Sequence, residues 1–267
     1  MTDSLVPTRP CAVVTGASGG IGLDLARLLA ADGHDLVLVA RSAGKLQEIG
    51  KELTERFKVR CEAIPADLSK LEGVEAVVAG LAAQGLKPDV LVNNAGFGQS
   101  GEFAKADLAR LLEMIQLNVV SLTALTGRLL PGMIERKRGR ILNVASTAAF
   151  QPAPMLAVYS ATKAYVLSFS EALSAEVAGS GVTVTTLCPG ATVTGFAAAA
   201  EMTESALFKK MPTMQSDVVA RLGYRAMLSG RRTIVTGFWN KLGALAAQLA
   251  PRGLVIRMAQ SLQVKAG

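Results

Sequence analysis

At 267 residues, half of them hydrophobic and 18% charged, the chain has enough apolar material for one α/β domain spanning 1–267, which excludes wholesale disorder. The 28 Lys and Arg against 21 Asp and Glu leave +7, a charge that attracts phosphate groups, but the cations are dispersed with no reading-helix motif beside them, which argues against a nucleic-acid partner. Cys11, Cys61 and Cys188 are odd in number and lie in or beside apolar runs, which suits reduced thiols, with no disulfide framework and no metal expected.

The N-terminus, MTDSLVPTRPC, lacks a basic start followed by a long apolar run, and charge or Gly interrupts the longer apolar stretches; the expectation is a soluble, cytoplasmic protein. Short β-branched runs then alternate with helical patterns. Strands are predicted at 12–15, 35–39, 60–64, 90–93, 140–144, 182–187 and 233–236, with helical segments between them. That alternation predicts a doubly wound seven-stranded parallel sheet with helices on both faces, its ligands beyond the carboxyl ends of the strands.

Directly after the first strand comes TGASGGIG, followed by the helical run LDLARLLA. In that strand, turn and helix context Gly16 permits the tight turn, Gly20 lets backbone approach a pyrophosphate, and Gly22 lets the helix pack closely, with Ile21 between them. At the end of the second strand, where an acid would hold a ribose 2′-OH, the chain reads Val39-Ala40-Arg41-Ser42; Arg41 suits a 2′-phosphate, and Ser18 adds a hydroxyl toward the same group. Asp67 and Leu68 follow the third strand, where Asp67 also reads as a helix cap. Asn93-Asn94-Ala95-Gly96 closes the fourth.

Tyr159 and Lys163, four apart, share one face of a helix. A phenol with a reference pKa near 10 needs help to act as acid or base at neutral pH, and an ammonium beside it, with an oxidised nicotinamide, favours the phenolate. Ser146 follows the fifth strand, and Asn118 sits inside MIQLNVVSL, an unfavourable place for Asn in a helix. CPGATVTGF follows the sixth strand, with Pro189, Gly190, Thr192 and Thr194. The single histidine, His34, lies in the turn before the second strand, which disfavours a Cys-His mechanism with Cys188.

In order and spacing, the Gly turn, NNAG, Ser146, Tyr159-x-x-x-Lys163 and Pro189-Gly190 resemble the short-chain dehydrogenase/reductase family from Cys11 to about Phe196. The resemblance implies a Rossmann-type sheet, NADP(H) as cofactor and hydride transfer to or from a carbonyl or secondary alcohol of a small-molecule substrate. It also implies the roles. Ser146 polarises the substrate oxygen, Tyr159 transfers the proton, and Lys163 lowers the Tyr pKa and holds the nicotinamide ribose. Asn118 anchors a water that links Lys163 to solvent. Asp67 meets the adenine edge with Leu68 beside it, Asn94, Ala95 and Gly96 line the adenosine pocket, and Thr192 and Thr194 tie down the carboxamide. A homodimer or homotetramer is implied by the same resemblance. The alternative, an NADP-binding redox sensor without turnover, has no need of four catalytic residues.

The stretch 191–214, with Phe196, Met202, Leu207, Phe208 and Met211, is expected to be an irregular substrate lid. The tail, 238–267, is cationic and apolar at helical spacing, suited to packing on the body, to a subunit interface or to weak membrane-surface contact. An apolar lid and tail point to an apolar substrate: a ketone, aldehyde, ketoacyl or steroid-like compound.

Overall fold

A computed structural model describes residues 9–194 and 213–263. In chain order these form β1 (Cys11–Thr15), α1 (Gly20–Ala31), β2 (Asp35–Ala40), α2 (Ala43–Phe57), β3 (Cys61–Pro65), α3 (Leu71–Ala83) and β4 (Val90–Asn93). There follow α4 (Leu108–Ile115), a π-helical segment (Gln116–Ser121), α5 (Leu122–Glu135), β5 (Gly139–Val144), α6 (Ala157–Glu176) and β6 (Val182–Cys188). The chain continues with β7 (Thr192–Val193), β8 (Met214–Gln215), α7 (Ser216–Leu228), β9 (Thr233–Val235), α8 (Phe238–Leu249) and α9 (Arg252–Gln263).

Seven parallel strands in the order β3-β2-β1-β4-β5-β6-β9 make the main sheet, and every predicted strand is present within two residues at each end. Because successive strand side chains point to opposite faces, two cores form. Ala12 and Val14 of β1 pack with Leu25 and Leu29 of α1, Leu46 of α2 and Met227 of α7. Cys11 and Val13 pack instead with Val77 of α3, Leu125 of α5 and Leu173 of α6. Strand order reverses between β1 and β4, and there the two following turns are joined. The Thr15 hydroxyl accepts from the Asn94 and Ala95 N–H groups at 3.0 Å, and Asn94 Nδ2 donates to the Thr15 carbonyl at 3.0 Å.

Two expectations change in detail. The ends of the stretch 191–214 are regular, pairing β7 with β8 in a parallel ribbon, while 195–212, and with them Phe196, Met202, Leu207, Phe208 and Met211, lie outside the described residues. Asp67 is not a helix cap. α3 starts at Leu71 behind Lys70, and the Asp67 carboxylate turns back to accept from the Ser69 N–H at 3.0 Å and hydroxyl at 2.8 Å.

Candidate active site

The Gly turn depends on backbone space. Gly16 has φ +65 and Gly20 φ +54, conformations that side chains disfavour, and a Cβ on Gly22 would fall well inside contact of Asn94 Nδ2 and the Gly16 carbonyl oxygen. Two of these obstacles are backbone or anchored groups, so Gly22→Ala is expected to cost about 1–3 kcal/mol of stability and to weaken cofactor binding. Urea unfolding and NADPH fluorescence titration measure the two effects.

The same turn suits a dinucleotide. No side chain caps the N–H groups at the start of α1, where Gly19 precedes the helix, and a Cβ on Gly19 would meet open space; an anion is a fitting partner for these donors. Across the cleft Thr194 faces Gly20, its Cγ2 3.1 Å from where a Cβ would stand. Arg41 is exposed at the tip of β2 and Ser18 is half-buried in the turn. Burial raises the Asp67 carboxyl, but the hydrogen bonds from Ser69, with Arg41 and Lys70 nearby, outweigh it and hold the group below its ordinary value. Leu68 is buried, and its carbonyl accepts from the Ser121 hydroxyl at 2.5 Å.

At the other end of the cleft the predicted catalytic residues converge. Tyr159, Lys163, Val166, Ser170 and Leu173 form the buried stripe of α6, so the four-residue spacing places phenol and ammonium on one inward face. Ser146, extended at the end of β5, hydrogen-bonds Tyr159 and accepts from the Ala148 N–H at 3.1 Å. Lys163 Nζ donates to the Val144 carbonyl at 2.9 Å and stands 5.9 Å from the centre of the Tyr159 ring. Burial drives the phenol up to about 12, opposed only by the Ser146 bond. Burial likewise pushes the lysine down to about 8. Desolvation thus sets the phenol in the protein without cofactor, while the Lys163 ammonium is engaged by the Val144 carbonyl.

Asn118 is held in the π-helical segment, which removes the conflict of Asn within a regular helix. Its Oδ1 accepts from the Phe97 N–H at 3.1 Å, while Nδ2 donates to the Phe97 carbonyl at 2.9 Å and the Thr162 hydroxyl at 3.1 Å. Thr162 in turn donates to the Tyr159 carbonyl at 2.7 Å. A Cβ on Gly96 would lie 2.8 Å from Asn118 Oδ1 and 3.6 Å from Lys163 Nζ, so the NNAG turn, Asn118 and Lys163 share one pocket floor. After β6, the Pro189 carbonyl accepts from the Thr147 N–H at 2.9 Å and the Thr192 hydroxyl donates to the Gly190 carbonyl at 3.0 Å.

Several contributors carry no motif. Thr162 is one of them, linking the Asn118 amide to the Tyr159 carbonyl. Beneath the site Asn93 Nδ2 donates to Thr126 and Asn143, and Asn143 donates to Ser170 at 2.8 Å, a buried polar network between β4, β5, α5 and α6. Asn240 packs its amide against Gly190, inside contact of where a Cβ would stand. Cys188 is fully buried and its thiol is pushed up to about 12 by burial, while His34 stands half-buried at the opposite, amino-terminal end of β2, its pKa lowered by burial. Tyr159 also belongs to an apolar cluster with Leu111, Met114, Ala153 and Leu156, flanked by Phe97 and Val158.

The sequence profile described as short chain dehydrogenase matches residues 10–205. Among curated proteins, the very-long-chain 3-oxoacyl-CoA reductase of Anas platyrhynchos is 40% identical over 183 residues, 67% of this chain and 58% of the relative, so the chain spans less than two thirds of that relative's length. Among solved structures, a short-chain dehydrogenase from Sphingobium yanoikuyae in complex with NADPH is 30% identical, with 97% of this chain and 98% of that one aligned and a TM-score of 0.80. The L-sorbose reductase of Gluconobacter frateurii, complexed with NADPH and L-sorbose, is 29% identical over 86% of this chain and 96% of its own, with a TM-score of 0.77.

These findings correct the cytoplasmic placement. Curated relatives include very-long-chain 3-oxoacyl-CoA reductases, and the 28-residue helical run Leu108–Glu135, with an 18-residue window of mean hydropathy 1.4, is long and apolar enough to cross a membrane. Between Glu113 and Arg128 that run carries no charge.

Proposed function

The chain belongs to the short-chain dehydrogenase family of oxidoreductases, and from that premise we propose that it reduces apolar ketones, 3-oxoacyl thioesters foremost, through Asn118, Ser146, Tyr159 and Lys163. The cofactor is NADP(H). The observation that carries the proposal is the hydrogen bond between Ser146 and Tyr159 beside Lys163, at the carboxyl end of β5. When bound by the Gly turn 16–22 and Arg41, NADPH would supply the hydride. With a pKa of about 12, Tyr159 holds its proton at neutral pH and is ready to donate it to a carbonyl oxygen. The Ser146 hydroxyl is placed to share that oxygen. Lys163, still mostly an ammonium below its pKa of about 8, favours negative charge as the phenol gives up its proton. Asn118, tied to Phe97 and Thr162, holds the floor on which a water could resupply that proton. The apolar cluster around Tyr159 and the names of the curated relatives support the substrate class.

The test is NADPH consumption against ketones, aldehydes and 3-oxoacyl thioesters of increasing chain length. Turnover rising with chain length is expected; tight NADPH binding without turnover on any member would overturn the proposal in favour of a sensor. The pH profile follows from the sign of the lysine shift. Reduction is expected to hold from neutral pH to about 8 and to fall above it as Lys163 loses its charge, while the phenol, held up at about 12, keeps its proton across that range and gives oxidation no matching rise. Initial rates in both directions across that range check it. Exposed Leu108 and Leu112 on α4 and Tyr165 on α6 support a homodimer or homotetramer built on these helices.

A further inference from the structure

The last two helices are amphipathic in the sense opposite to a water-facing helix. α8 turns Asn240 and Ala244 inward and leaves Phe238, Trp239, Leu242, Leu245 and Leu249 between 49% and 78% exposed. α9 buries Val255 and Ala259 and exposes Leu254. Small or polar residues thus pack on the body while the large apolar ones face out, forming an exposed patch of the kind that marks an interaction surface.

Charge selects the partner. From Phe238 to the end of the chain there are Lys241, Arg252, Arg257 and Lys265 and no Asp or Glu. Lys241, Arg252 and Arg257 are exposed and form no ion pair with another described residue. Pairing this face with itself in a second copy would bring these cations together with no acid in the patch to receive them. An anionic lipid surface receives both features at once, the aromatic and Leu side chains in the headgroup and acyl boundary and the cations at the phosphates.

We propose that α8 and α9 dock this protein onto an anionic lipid surface. The docked face adjoins the catalytic end of the cleft, since Asn240 of α8 packs on Gly190 and α8 lies against the turn Thr147–Phe150 that follows Ser146. The inference does not depend on the reductase assignment, because it rests on exposure and charge alone.

Trp239 is the only tryptophan and reports directly. Mixed phosphatidylcholine and phosphatidylglycerol vesicles are expected to shift its emission to the blue and to carry the protein down on sedimentation, with binding weakening as salt rises. Lys241→Ala and Arg252→Ala should each weaken partition about fivefold. Leu245→Glu should abolish it while NADPH binding, measured on the same sample, shows the variant folded. No shift and no sedimentation with the mixed vesicles would overturn the proposal. So would equal, salt-insensitive binding to phosphatidylcholine alone. A blue shift without vesicles, accompanied by a doubled mass that Leu245→Glu returns to one chain, would assign the face to a second copy instead.

Discussion

Replacing Tyr159 with Phe is expected to lower kcat for carbonyl reduction by about 10²- to 10⁴-fold, the range that a positioned general acid contributes, while leaving NADPH affinity within a few-fold. The substitution removes one oxygen from a side chain that is 7% exposed and packed among Leu111, Met114, Ala153 and Leu156, so the ring keeps its packing and no cavity opens. What is lost is the proton held at a pKa of about 12 and the partner of Ser146. Single-turnover kinetics with pre-bound NADPH separate the chemical step from binding. A variant retaining more than about a tenth of the rate would remove Tyr159 from the general-acid role, since loss of the acid costs at least about 10²-fold.

Arg41→Asp is expected to invert the preference between NADPH and NADH. Arg41 is exposed at the end of β2 beside the Asp67 turn, where a guanidinium suits a 2′-phosphate and a carboxylate suits a ribose 2′-OH. Losing a charge-assisted hydrogen bond costs about 1.5–3 kcal/mol, and the new carboxylate repels the phosphate while accepting from the hydroxyl. The ratio of kcat/KM values for the two cofactors is therefore expected to move by about 10²- to 10³-fold. Rates measured with both cofactors on one ketone supply the ratio. Because Arg41 lies at the opposite end of the cleft from Tyr159, kcat with saturating cofactor should be nearly unchanged, which distinguishes lost recognition from a damaged fold. An unaltered ratio would place the 2′-phosphate elsewhere.

Much of the framework was legible because it rests on local periodicity. β-branched runs of strand length fall on the strands of the main sheet, since a sheet covered on both faces demands continuous apolar strands. Gly16 and Gly20 could be singled out because the tight turn needs positive φ, and Tyr159 and Lys163 because helical geometry puts residues four apart on one face.

The strands, the strand, turn and helix signature of the Gly turn, and the identity of the residues available for chemistry can be read from the chain, because each depends on neighbours within a few positions. What those residues do to one another follows from the packed fold. Burial, a property of the whole packed chain, raises Tyr159 and depresses Lys163. A π-helical segment accommodates Asn118, whose amide reaches Thr162, 44 positions on. Contacts between residues distant in sequence set Lys163 on Val144 and Asn240 on Gly190. The exposed apolar face of α8 and α9 was decided there as well, because a helical pattern shows which residues share a face but not which face the body covers.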